Sequence, residues 1–170
     1  GEDAQGITGK AWLVKPYKVD PSGKVSNKTV LRLPHYDKGE KPPKDECSFK
    51  VNVPEKGVYY LWARVFWKDG CGNSFFISVG NQVSDSIMGG DGTYNIMHWI
   101  CLNDAGDNES RPMPLKLDKG VVTITVGAKE SNTMIDQFVL TTDRKYIPAN
   151  IVKPTPNVLA KPDAKDKEKK

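Results

Sequence analysis

The fold of this chain is decided by residues 47–67, which read CSFKVNVPEKGVYYLWARVFW. Apolar residues occupy every second position from Cys47 to Val53, with polar residues between them. Successive side chains of a strand point to opposite faces, so this alternation predicts a strand with one buried face. Residues 54–57, Pro-Glu-Lys-Gly, predict a hairpin turn into a second, more apolar strand over 58–67.

The same pattern of short strands and turns continues on both sides of this pair. Apolar stretches predict further strands at 11–14, 29–33, 74–79, 94–102, 113–117, 121–126 and 134–141. The glycine-rich segment 80–93 is predicted to be irregular, and helical periodicity is not sustained anywhere. The sequence therefore predicts an all-β fold, a jelly-roll β-sandwich of about eight to ten mostly antiparallel strands.

The length and composition indicate a single domain with loose ends. A chain of 170 residues can bury one core of its own. Residues 1–8 show no periodicity and are expected to form a loose leader, followed by the β-sandwich domain over 9–148. Residues 149–170 are rich in Pro, Lys and Asp, which predicts a flexible tail or linker.

Charge and hydropathy narrow the classes of partner. The net charge of +4 is 25 basic minus 21 acidic residues, and the segment 161–170 adds five Lys against three acids. The remainder is nearly neutral and has no basic stripe, so a nucleic acid is not an expected partner. No apolar stretch has the length of a membrane span, and none is predicted.

Catalytic patterns are sparse, and the sequence predicts a protein that is not an enzyme. The two histidines, His35 and His98, lie in a proline-rich loop and in a predicted strand, so no Ser-His-Asp or Cys-His relay is indicated. Convergence of two loop carboxylates would instead favour a polysaccharide hydrolase or lyase. The acids available for this in predicted loops are Asp85, Asp91, Asp104 and Asp107.

The three cysteines leave two alternatives. Cys47, Cys71 and Cys101 lack the spacing of zinc or haem motifs. A Cys71–Cys101 disulfide would close a loop of about thirty residues and stabilise the fold by roughly 3–4 kcal/mol. Three free thiols are the other alternative.

The loop after the second strand has the residue types of a sugar-binding site. Such a site needs aromatic rings for the apolar sugar faces and amides or carboxylates for the hydroxyls. The candidates are Trp67, Lys68, Asp69 and Asn73, with Tyr94 as a further choice. Asp69 and Asn73 have the alternative role of satisfying turn backbone. The other large aromatics, Trp62, Phe75 and Trp99, are expected in the core.

Two stretches resemble a known group of proteins. Residues 53–65, VPEKGVYYLWARV, and the pair 120–126, GVVTITV, with 135–143, IDQFVLTTD, are similar to strand pairs of galactose-binding-like sandwiches. These include the carbohydrate-binding modules of families 6 and 35, and the resemblance extends over residues 47–148. It implies a jelly-roll sandwich, a secreted protein in an extracellular or periplasmic setting, and a non-catalytic glycan site in the loops at one edge.

The resemblance also implies roles for two residues. Asn132 matches the position of a ligand-binding Asn in such modules, and Trp99 is a second choice for the ligand site beside Tyr94. Asp136 matches a closing-strand Asp that shares a structural calcium with two acids of the first strand, whereas the first predicted strand here, residues 10–14, has no acid. Calcium takes six to eight oxygen ligands, so a calcium site would depend on Asp136 alone; no other cofactor is expected.

A structural role is the alternative to glycan binding. In that interpretation the sandwich is a subunit of a surface layer, filament or envelope complex and self-associates through its C-terminal tail. Residues 151–159 contain apolar side chains among prolines and could add to a neighbouring subunit as an extended segment.

Overall fold

A computed structural model of the chain describes residues 6–7, 13–16, 25–26, 29–33, 46–103 and 111–153. Its strands are β1 (Gly6–Ile7), β2 (Leu13–Pro16), β3 (Thr29–Arg32), β4 (Glu46–Val53), β5 (Gly57–Phe66), β6 (Ser74–Val79), β7 (Val83–Gly89), β8 (Met97–Cys101), β9 (Leu115–Leu117), β10 (Gly120–Gly127) and β11 (Met134–Thr141). No helix within those ranges has the length and apolar character needed to span a membrane.

The strands form two antiparallel sheets, which confirms the predicted β-sandwich. One sheet has the order β1-β4-β10-β6-β7, and the other has the order β2-β3-β11-β5-β8, with β9 beside β5. The chain passes repeatedly from one sheet to the other, as it does in jelly rolls.

The turn at residues 54–57 does not close the predicted hairpin. β4 pairs with β10 in the first sheet, whereas β5 pairs with β11 and β8 in the second. The connection from β5 to β6 also crosses between sheets. Alternation reports which face of a strand is buried and says nothing of its partner, so a hairpin and a crossover turn look alike in sequence.

The core lies between the inner faces of the two sheets. β5 contributes alternate residues from Tyr59 to Trp67, and all of them are buried. Phe75 and Ile77 from β6 and Ile124 from β10 meet them from the first sheet. Each fully buried large apolar side chain contributes about 1.5–3 kcal/mol, so this layer stabilises the sandwich and fixes the directions in which its loops leave.

One predicted loop is a strand. Residues 83–89, inside the segment expected to be irregular, form β7 and pair with β6. The pairing shifts register between Ile77 and Val79, and Asp85 adopts a positive φ of 48°. This irregularity breaks the two-residue period, which is why alternation missed the strand.

Residues beyond both predicted domain boundaries contact the strands of the sandwich. Gly6 and Ile7, placed in a loose leader, pair with Ser48 and Cys47 of β4. At the other end, the Gln137 amide bonds both the N–H and the carbonyl of Val152, at 3.1 and 2.8 Å. The domain therefore continues to residue 152. Residues 154–170 lie outside the described ranges, and self-association through the tail stays a prediction.

Candidate functional site

Three loops meet at one end of the sandwich. They are the β5–β6 loop (residues 67–73), the β7–β8 loop (90–96) and the β10–β11 loop (128–133). Strands β5, β7 and β10 end there, and β6, β8 and β11 begin there, so the antiparallel order brings the loops together. We call this region the loop end.

Asn73 ties the three loops to one another. Its backbone N–H donates to Glu130 Oε2 at 2.9 Å, and its carbonyl accepts from the Gly90 N–H at 2.8 Å. Its side-chain Nδ2 donates to the Asp91 carbonyl at 3.2 Å. Asn73 therefore has the backbone role that the turn alternative gave it. Its Oδ1 has no hydrogen bond to any described residue and is left to accept one from a ligand.

Two glycines allow the loops to pack this closely. A Cβ on Gly72 would lie 2.2 Å from the Ser131 carbonyl oxygen, and a Cβ on Gly89 would lie 2.2 Å from that of Asn73. Gly89 also has a φ of 115°, which side-chain-bearing residues rarely adopt. The loops are thus held by direct backbone contact and form a preformed surface.

An ion pair supports the β10–β11 loop. Lys129 Nζ lies 2.7 Å from Glu130 Oε1 and donates to Ser74 Oγ at 2.8 Å. Burial alone would raise the pKa of the Glu130 carboxyl, but hydrogen bonds from Lys129, Ser74 and the Asn73 N–H lower it below its usual value. Glu130 is therefore a charged anchor for the Asn73 backbone.

Tyr94 is the aromatic side chain that the loop end exposes. It is 41% exposed, and its hydroxyl lies 3.2 Å from the position of a Cβ on Gly70. That hydroxyl has no hydrogen-bond partner in the described part of the chain. Ile96, two residues further on, is 49% exposed. An accessible ring with a free hydroxyl can contact both the apolar face and the hydroxyl groups of a sugar.

Trp67 is not the exposed aromatic that the sequence predicted. It is fully buried and packs against Phe75, with ring centroids 6.3 Å apart, and against His98 at 5.9 Å. Its Nε1 is buried and makes no close hydrogen bond among the described residues, but it is near enough to Asp91 to help lower the pKa of that carboxyl. Trp67 continues the inward-facing positions of β5 beyond the end of that strand, so it belongs to the core.

Lys68 and Asp69 lie on the surface of the β5–β6 loop, as expected. Asp69 Oδ1 accepts the Cys71 N–H at 2.9 Å, and the Asp69 carbonyl accepts the Gly72 N–H at 3.3 Å. This is the turn role that was weighed against ligand binding. Asp69 Oδ2 has no bond within the described ranges, so it is available to a ligand beside Lys68.

Asn132 is directed toward the neighbouring strand. It has a positive φ of 63°, and its Oδ1 accepts from Arg32 Nη2 of β3 at 3.1 Å. The side-chain acceptor expected to meet a ligand is therefore engaged within the protein. A ligand-binding role for Asn132 stays a prediction.

Asp136 forms a buried ion pair with Arg64. It lies in a bulge of β11, where Oδ2 is 2.6 Å from Arg64 Nη1. Oδ1 accepts from Ser26 N and Oγ at 2.9 and 2.7 Å. The described residues contain no group of three His, Cys, Asp or Glu side chains placed to hold a metal. Arg64 and Ser26 thus engage both oxygens of this carboxylate, and a calcium site at Asp136 stays a prediction.

The cysteines are free, and the Cys71–Cys101 disulfide prediction is wrong. Cys71 is exposed at the loop end, whereas Cys101 is buried at the opposite end of β8. Cys47 is buried in β4, and burial raises the pKa of its thiol to about 11. Burial also raises the pKa of the Cys101 thiol. Both buried thiols therefore stay protonated at neutral pH and are poor nucleophiles.

The loop carboxylates that can be placed do not converge. Asp85 and Asp91 lie toward opposite ends of β7, and Asp104 and Asp107 are outside the described residues. Asp91 Oδ2 lies 2.9 Å from His98 Nε2, and Oδ1 accepts the Thr93 N–H at 3.0 Å. Burial alone would raise the pKa of the Asp91 carboxyl, but the bonds from His98 and Thr93 lower it.

His98, Asp91 and Glu130 are the loop-end residues that sequence reasoning did not select for binding. His98 lies at an inward position of β8 opposite Val65, so the strand pattern indicates a core residue rather than a site residue. Its partner Asp91 lies seven residues away. No local spacing connects them, since the β7–β8 loop must fold back before they meet.

The fold has close structural relatives. A family 35 carbohydrate-binding module from Clostridium thermocellum superposes with a TM-score of 0.55 at 16% identity, covering 84% of this chain and 94% of that one. A second module of the same family, from Paenibacillus barcinonensis, gives 0.53 at 10%, covering 83% and 96%. A ruminal family 26 endo-β-1,4-mannanase gives 0.53 at 20%, covering 86% of this chain and 25% of the enzyme.

No family model matches the sequence, and no curated protein matches it. The relationship is therefore one of three-dimensional structure, at identities that show the fold alone. The resemblance seen in the two strand pairs is confirmed at that level, and the chain has the β-sandwich fold of the family 35 carbohydrate-binding modules.

Proposed function

We propose that the chain is a non-catalytic carbohydrate-binding module and that its loop end contacts the glycan. The observation that carries the proposal is the accessible Tyr94 ring beside unengaged polar atoms, on loops held rigidly by Asn73, in a fold that its solved relatives use in carbohydrate-binding modules. A preformed surface loses little conformational freedom on binding.

The polar atoms define how a sugar would be held. The Tyr94 hydroxyl can donate or accept a hydrogen bond, Asn73 Oδ1 and Asp69 Oδ2 can accept from sugar hydroxyls, and Lys68 can donate. The ring covers the apolar C–H face of one sugar unit.

The proposal includes the location of the protein relative to the cell. A module that binds structural polysaccharide meets its ligand outside the cytoplasm, so we expect a secreted protein in an extracellular or periplasmic setting.

Binding to a glycan panel tests the proposal. Calorimetric titration of the full chain with cellohexaose, mannohexaose and xylohexaose, together with gel-retardation on their polysaccharides, should reveal at least one ligand. Tyr94→Ala should weaken that binding by about fivefold or more, if the sugar–ring contact contributes as much as a nucleic-acid base stacked on an aromatic ring, roughly 1–3 kcal/mol. Tyr146→Ala is the matched control, since Tyr146 follows β11 at the opposite end.

Two results would contradict the proposal. One is the absence of binding to every glycan in the panel. The other is a Tyr94→Ala variant that binds as tightly as the unaltered protein, which would move the site elsewhere on the sandwich.

A further inference from the structure

A single side chain closes the β7–β8 loop. His98, the second residue of β8, has Nδ1 3.0 Å from the Ile96 carbonyl oxygen and Nε2 2.9 Å from Asp91 Oδ2. One imidazole ring thus joins the beginning of the loop to its end. The edge of the ring also packs against Trp67, with ring centroids 5.9 Å apart, so the junction is attached to the core.

Both atoms that face the His98 nitrogens are hydrogen-bond acceptors. A neutral imidazole has one donor and one acceptor, so it can satisfy only one of these two oxygens. Only the imidazolium donates to both. Asp91 is the charged group that contacts His98 within the described residues, and the neighbour from β5 is the uncharged Trp67.

The loop that His98 closes carries Tyr94. The remaining ties of this loop are the Asn95 N–H to the Trp67 carbonyl at 2.8 Å and the contacts of Asn73 with Gly90 and Asp91. These hydrogen bonds involve backbone and amide groups, which do not change protonation, and they hold the loop at its base. Asp91 Oδ1 also accepts the Thr93 N–H at 3.0 Å within the loop. The closure by His98 is the part that depends on protonation, because the neutral ring can donate to only one of the two oxygens, Asp91 Oδ2 or the Ile96 carbonyl.

We propose that His98 is a positioning residue for the glycan site: as an imidazolium it clamps residues 91–96 and fixes the Tyr94 ring over Gly70, and glycan affinity falls when His98 loses its proton. The inference rests on the proposed function, because it concerns how the same loop presents its ligand-contacting ring. The pH range of the test follows from the general behaviour of histidine side chains, which change charge between about pH 5 and 8.

The pH profile of affinity tests the clamp. We would titrate the full chain with its tightest-binding oligosaccharide of the panel at several pH values from 5 to 8. The affinity of the unaltered protein should fall about tenfold across this range, since a hydrogen bond to a charged group contributes on the order of a factor of ten or more. His98→Gln should bind weakly at every pH with a flat profile, and Asp91→Asn should flatten it similarly.

His35→Gln is the matched control, because His35 is the only other histidine of the chain. It should keep the profile of the unaltered protein. The proposal is overturned if the unaltered protein has a flat profile, or if His98→Gln keeps the same pH dependence.

Hydrogen exchange in the ligand-free protein separates the clamp from the proposed function. Amide protection of residues 91–97, corrected for intrinsic pH effects, should fall in His98→Gln and in Asp91→Asn. If no glycan binds, the proposed function fails, and this measurement still decides on the clamp. Unchanged protection in both variants would overturn it.

Discussion

Replacing Asp136 by Asn should destabilise the domain strongly. Asp136 Oδ2 lies 2.6 Å from Arg64 Nη1, and the exposed fractions of the two side chains are 0% and 7%. The substitution keeps the shape of the side chain but leaves the Arg64 guanidinium buried without its counter-charge. Removing one partner of a buried ion pair costs about 3–5 kcal/mol.

That loss is large for a domain of this size. Folded domains are stable by about 5–15 kcal/mol, so the substitution removes a large share of the total. At about 2–4 °C for each kcal/mol, Tm should fall by roughly 6–20 °C. Asp118→Asn is the matched control, because Asp118 and Lys56 form an ion pair of similar length, 2.8 Å, in which both side chains are 81% exposed. It should leave Tm unchanged.

Thermal and urea unfolding would measure both variants, with and without EDTA or added calcium. The unaltered protein should unfold at the same temperature in all of these buffers, because Arg64 supplies the positive charge next to Asp136. The paired replacement Arg64→Met with Asp136→Leu should recover much of the loss. Equal Tm values for the Asp136 and Asp118 variants would refute the structural role of the pair, and a Tm lowered by EDTA would show that a metal takes part.

Three further predictions concern the thiols, the loop packing and the response to acid. A thiol reagent should titrate one accessible thiol, Cys71, in the native protein and three after denaturation, since Cys47 is buried with its pKa raised to about 11; a single thiol after denaturation would indicate a disulfide. Gly72→Ala should lower the urea midpoint because its Cβ meets backbone oxygen at 2.2 Å, whereas Gly92→Ala, with open space around it, should not; equal midpoints would contradict the packing described. The folded pKa of Asp91 lies below its unfolded value of about 3.9, so its contribution is present above that pH and is lost as pH falls through the folded pKa. Urea midpoints between about pH 2 and 6 should therefore fall less in Asp91→Asn than in the unaltered protein, and identical slopes would refute the assignment.

The alternation of apolar and polar residues predicted most of the strands, and the features that it missed have physical causes. β11 was placed correctly at residues 134–141, because the stretch is rich in apolar residues, although the bulge at Asp136 interrupts its two-residue period. β7 was missed because Asp85 interrupts the period with a positive φ. The pairing of β4 with β10 depends on contacts between residues far apart in the chain, which a local period does not report.

The sequence predicts a site in the loop after β5, and the structure brings only some of the predicted residues to the loop end. The loop after β5 does lie at the loop end, and Asn73, Asp69 and Tyr94 are there with it. Trp67 could have been assigned to the core from its parity with Leu61, because both occupy inward positions counted along β5. The contact of His98 with Asp91 could not have been predicted, because it depends on the path of the β7–β8 loop and not on the spacing of the two residues in the sequence.

The most direct test of the central claim is to map the glycan-contacting surface by NMR. Spectra of the ¹⁵N-labelled full chain would be recorded during titration with the tightest-binding oligosaccharide of the panel. Glycan binding at the loop end predicts that the largest shift changes occur in residues 68–73 and 90–96, with Tyr94 and the Asn73 side-chain amide among them. Changes centred on a sheet face, for example around the exposed Ile87 of β7, would contradict it.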